Sequence, residues 1–72
     1  MITGITEIAA KETTEGFQAT VYTKIDGEPV FVNTAIIAES RVLAIQKGKE
    51  WWNSLNDPEA MIKTMQKEQA PQ

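Results

Sequence analysis

A chain of 72 residues with a net charge of −3, no cysteine and no histidine has room for one hydrophobic core. It has none of the disulfides or thiolate and imidazole metal sites that often brace domains this small. The same absences remove a cysteine nucleophile and a histidine general base, so enzyme chemistry of the commonest kinds is excluded at the outset.

The opening segment MITGITEIAAKE has neither the basic nor the apolar region of a secretory leader, and no stretch approaches the ~18 apolar residues of a membrane span. The expectation is a soluble, unprocessed protein with no membrane partner, and the missing cysteines fit a cytoplasmic one. Charge is unevenly spread. Up to Glu39 the acids Glu7, Glu12, Glu15, Asp26, Glu28 and Glu39 face only Lys11 and Lys24, whereas the remainder is near neutral. An acidic sheet repels phosphate backbones, which disfavours nucleic acid as a partner.

Taken in chain order, ITEIAAK alternates β-branched and other residues and predicts a first strand over about 2–11. The polar run Glu12 to Gly16 then predicts a longer hairpin loop. Strands over about 17–25 and 28–34 are joined by Asp26-Gly27, the pair that suits a type I′ turn because both central positions need φ > 0. In that register Val21 faces Val32 and Ala19 faces Thr34. Phe17, Ala19, Val21, Thr23 and Ile25 share the core side with Val30 and Val32. Pairing Ala10 with Phe17 turns Ile2, Ile8 and Ala10 inward and Glu7 outward, where a slip of one residue would bury Glu7.

After Thr34 the apolar period becomes helical. Ala44, Ile45, Gly48, Trp51, Trp52 and Leu55 fall on one side of a helix over about 40–55, with Ser40 as its favoured cap and Thr34 the alternative. Arg41 then sits in a loose first turn. Gly48 costs about 1 kcal/mol relative to alanine in mid-helix, a loss offset if the helix approaches the sheet closely there. Asp57-Pro58-Glu59 marks a second start, with Asp57 the cap and Pro58 the first helical residue. That helix runs over about 58–68 and carries Met61, Ile62 and Met65 on one side; residues 69–72 form a frayed tail.

The fold class that follows is α+β in one small domain: a three-stranded antiparallel sheet in the order β-β-β-α-α, a long amphipathic helix on one face and a short C-terminal helix. The layout is similar to that of phage integrase arm-site domains, plant AP2-type domains and several small phage-encoded inhibitors. The likeness is one of layout alone, since no motif residue carries over and the first two have basic sheets.

No reactive constellation emerges. The hydroxyls of Ser40, Ser54, Tyr22 and eight threonines have no histidine to activate them, and Glu12 and Glu15 share a loop with no apolar pocket to raise a carboxyl pKa. No D-x-D-x-D-G loop occurs and the four glycines are scattered, so neither a metal nor a phosphate-bearing cofactor is expected.

Two features point to protein binding instead. Ile5, Tyr22 and Phe31 align across all three strands on the side away from the long helix, an apolar row that only a partner or the second helix, through Met61 and Met65, would cover. Trp51 and Trp52 lie about 100° apart on their helix, so either both pack in the core or one is left as an interface anchor. The function expected is a non-enzymatic protein-interaction module, a homodimer in the first instance, of the kind found among phage-type and accessory regulators or inhibitors. Its binding residues are Ile5, Tyr22, Phe31, Trp51 and Trp52. The competing reading is a nucleic-acid binder using Lys47, Lys49, Lys63 and Lys67 with a tryptophan.

Overall fold

The computed structural model describes residues 1–69. Three antiparallel strands, β1 (Ile2–Thr13), β2 (Gly16–Ile25) and β3 (Glu28–Ala38), form a sheet in the order β1-β2-β3, followed by helices α1 (Arg41–Ser54) and α2 (Pro58–Gln69). The β-β-β-α-α layout read from the sequence is the observed one. Of the tail assigned to residues 69–72, Gln69 closes α2 and the remainder lies outside the described residues.

The Asp26-Gly27 turn has the backbone its residues favour, with φ of 52° and 83°, both in the left-handed region that a type I′ turn requires. It fixes the register expected between β2 and β3, with Val21 opposite Val32 and Tyr22 opposite Phe31. Beyond Thr20–Asn33 that register shifts, so that Gln18 pairs with Ile37 and Phe17 with Ala38. Thr34 therefore does not pair with Ala19 in the simple ladder. It stitches a bulge, its hydroxyl donating to Ala19 O at 2.8 Å and accepting from Ile36 N–H at 3.1 Å. The bulge carries β3 on to Ala38, four residues past the expected end. Ile37 and Ala38 fit a helical stripe equally well, and periodicity over so few residues does not separate the two.

The first hairpin differs more. Its loop is only Thr14-Glu15, and β1 reaches Thr13. Thr13 Oγ1 donates to Gly16 O at 3.0 Å and accepts from Glu15 N–H at 3.2 Å, a local closure that stands in for the longer loop. Ala10 pairs with Ala19 rather than Phe17, and the expected offset returns only at Thr3–Lys24 and Ile2–Ile25. The difference is absorbed between Thr3 and Glu7, where Gly4 adopts a φ of 73°, the glycine signature of a bulge. Because the correction spans an even number of residues, Ile8 and Ala10 still face the core and Glu7 still faces water.

Both helices cover the same face. Ser40 caps α1 by accepting from Leu43 N–H at 3.2 Å, and α1 lies across all three strands. Ala44 and Gly48 are buried against the sheet. A Cβ on Gly48 would stand 2.6 Å from Ile8 Cγ2 and 3.2 Å from Ala19 Cβ, so the glycine is what lets the helix come this close. Asp57 caps α2, accepting from Ala60 N–H at 3.2 Å. Ile62 of α2 enters the main core with Val21, Ile25, Val30 and Val32, and Ile2, Ile8, Trp51, Trp52 and Met65 pack around it. A second apolar patch holds Ala10, Ala38 and Ala44 under Phe17, Leu43 and Ile45.

Arg41 opens α1, in the first turn as expected, but its side chain is not loose. Its guanidinium donates to Ala10 O at 2.6 Å and lies 5.1 Å from the centroid of the Phe17 ring, so its charge is held by a carbonyl and a π-face, with no carboxylate paired to it among the described residues.

Candidate functional site

With α1 and α2 on one face, the opposite face of the sheet is uncovered by either helix. Met61 and Met65 do not fold back over it. Met65 packs against the main core, and both line a groove of about 740 Å³ beside β3 together with Trp51. Tyr22 and Phe31 consequently stand 49 % and 45 % exposed, and Ile5 is 84 % exposed. The Tyr22 and Phe31 rings touch, with centroids 4.6 Å apart and planes inclined at 44°, a tilted cross-strand pair of the kind that steadies a hairpin.

The structure brings Ile5, Tyr22 and Phe31 together, though not in the straight row the sequence suggests. Glu7, not Ile5, pairs with Tyr22, because Ile5 lies within the β1 bulge. Ile5 still borders the same shallow depression, of about 320 Å³, which Tyr22, Phe31, Glu7, Lys24 and Pro29 also line. The apolar centre thus has one acid and one base at its rim. Sequence reasoning turned Glu7 outward but did not set it beside Tyr22, and the available signal was Gly4, since an isolated glycine inside a strand pattern marks a bulge; Pro29, opposite Lys24, was already given by the hairpin register and was overlooked. Further along this face Thr20, flanked by Ala9 and Asn33, is only 2 % exposed. Ala9, Thr20 and Asn33 are thus a row of short side chains between the rows of Tyr22 and Gln18, and its centre is closed to solvent.

Trp51 and Trp52 belong to the other layer. Both are half-buried against the main core, with ring centroids 6.3 Å apart, and they diverge toward opposite edges of the sheet. Trp51 reaches the groove beside β3, and Trp52 a hollow at the β1 edge shared with Lys49, Glu7 and Tyr22. Trp52 and Tyr22 thus line one hollow from the two layers.

The sheet edges are blunted. On β3, Pro29 has no N–H to offer. At Asn33 the side-chain amide of Gln69 accepts from the backbone N–H at 3.2 Å and donates to the backbone carbonyl at 2.8 Å. That pair of bonds is what a neighbouring strand would make, so the edge is plugged there. The β1 edge is interrupted by its bulge. Asn33 Oδ1 is buried with no hydrogen-bond partner among the described residues.

The charge cluster of the molecule lies at the turn end. The Met1 ammonium pairs with Glu59 and, at 2.9 Å, with Asp26, and Lys63 reaches Glu59 at 3.2 Å. Hydrogen bonds to Glu59 and Asp26 raise the ammonium pKa. The Met1 ammonium lowers both carboxyls, with Lys63 adding to the effect on Glu59. All three groups are at the surface and tie the N-terminus to the Asp26-Gly27 turn and to α2, with no reactive hydroxyl in their contacts. Among the described residues no helix is long and apolar enough to cross a membrane. No protein-family model, no curated protein and no solved structure matches this chain.

Proposed function

We propose that this chain is a non-enzymatic protein-interaction module that associates with itself through the outer face of its sheet. The observation that carries the reading is the exposed, mutually packed Tyr22 and Phe31, with Ile5 beside them, on a face that neither helix covers. Aromatic side chains on a rigid strand lose little entropy on docking and are the usual anchors of interfaces. A core this thin also gains from a partner that binds only the folded form. The blunted edges favour the face over edge-to-edge strand pairing as the route of association.

The test is sedimentation of the wild type and of the Tyr22→Ser, Phe31→Ser double variant, with circular dichroism as the check on folding. The wild type should be dimeric at micromolar concentration, and the double variant monomeric with an unchanged fold, because truncated anchors cost about 2 kcal/mol or more each. A wild type that stays monomeric up to about 100 µM, where weak association becomes visible, overturns the reading. Salt separates it from phosphate binding by the C-terminal lysines. Affinity for a nucleic acid falls steeply with ionic strength, whereas apolar association persists.

A further inference from the structure

We infer that the partner on the outer face is a second copy docked about a two-fold axis running across the strands over Thr20, so that Glu7 of each copy meets Lys11 of the other. The inference rests on the self-association reading above and adds the arrangement. An interface between identical chains uses the same patch twice, so the patch must be complementary to itself. The observed register supplies the map of that patch. Glu7, Tyr22 and Phe31 form one cross-strand row and Lys11, Gln18 and Ile37 another, four residues away along β1 and β2, with the row of Ala9, Thr20 and Asn33 between them.

The possible axes are few, and charge decides among them. An axis over Tyr22 sets Glu7 against its own copy, a like-charge contact. An axis along β2 stacks Lys24 on its own copy and lays Glu7 over the Phe31 ring. An axis midway between the Tyr22 and Thr20 rows makes no charge pair. Placed over Thr20, the axis lays the Glu7 row on the partner's Lys11 row. Glu7 then faces a lysine, Phe31 faces the aliphatic Ile37, and Tyr22 faces the amide of Gln18. Glu7 and Lys11 are exposed and Ile37 is 41 % exposed, so each is free to make its contact. This axis also lies at the middle of the face and buries the greatest length of it. The strands of the two copies run nearly aligned, the usual way in which two sheets stack.

Charge reversal tests the arrangement. E7K and K11E each place like charges opposite one another twice per dimer and should weaken association at least about tenfold. An equimolar mixture of the two variants should regain the wild-type dimer, because the new lysine at position 7 then meets the new glutamate at position 11 and the native pair re-forms at the other end. The E7K/K11E double variant should dimerise by itself. Wild-type circular dichroism for each variant removes misfolding as an explanation. A dimer that is lost in Tyr22→Ser, Phe31→Ser but indifferent to both charge reversals overturns this arrangement and leaves the face intact. Singles that weaken without recovery on mixing overturn it too. A monomeric wild type removes the arrangement and the reading beneath it together.

Discussion

The two faces of the sheet are built from the same strands yet answer to different demands. On the covered face, Val21, Val32, Ala19 and Ile62 are fully or almost fully buried, and the approach of α1 is close enough that a single methyl at Gly48 has no space. On the outer face the apolar side chains are exposed and rimmed by Glu7 and Lys24. Substitutions on the first face should therefore register in stability, and on the second in association.

The largest effect is expected at Ile62. It is the one residue of α2 that is buried in the main core, and Ile62→Ala should cost about 2–5 kcal/mol. In a domain whose core supplies roughly 3–5 kcal/mol, that leaves much of the population unfolded at room temperature, as a urea titration would show. An Ile62→Ala variant close to wild type in stability would mean that α2 does not complete the covered face.

Gly48→Ala sharpens the comparison because local propensity and packing have opposite signs. Alanine gains about 1 kcal/mol in a helix interior, but its Cβ would meet a branched methyl of Ile8 and the fixed Cβ of Ala19. Overpacking of this kind costs about 1–3 kcal/mol, so the net change in urea midpoint should be a loss. A gain would show that the helix can lift off the sheet at no cost.

Gly27→Val isolates backbone conformation from packing. Nothing lies within 4 Å of a Cβ at Gly27, so the cost is that of holding a β-branched residue at a φ of 83°. About 1–2 kcal/mol is expected, or a fall in melting temperature of roughly 5–15 °C for a domain of this size.

The smallest effect concerns the charges at the turn end. Asp26 and Glu59 have lowered pKa values. Their contribution is present above the ordinary carboxyl range near about 4 and is lost as pH falls through the lowered values. The Met1 ammonium is raised, so its contribution is complete below about 8 and is lost as pH rises through the raised value. Stability should therefore be greatest between those limits. About 1 M salt should flatten both slopes by screening these exposed pairs.

What the sequence determined by itself was whatever short-range chemistry decides. Asp26-Gly27 dictates a turn with both φ positive, and that turn sets the alternation placing Val21 and Val32 inward and Tyr22 and Phe31 outward. Asp57-Pro58 likewise starts α2, and the spacing from Ala44 to Trp52 orients α1. Tertiary structure decided the rest. Alternation alone does not place the bulges at Gly4–Thr6 and at Thr34, because a period-two pattern carries no record of where the extra residues go, and of the two only the first has a glycine to mark it. The side of the sheet taken by α2 was open in the same way. Met61 and Met65 would suit either face, and Ile62, packed among Val21, Ile25, Val30 and Val32 of β2 and β3, decides for the covered one. With α2 packed there, neither helix covers the outer face.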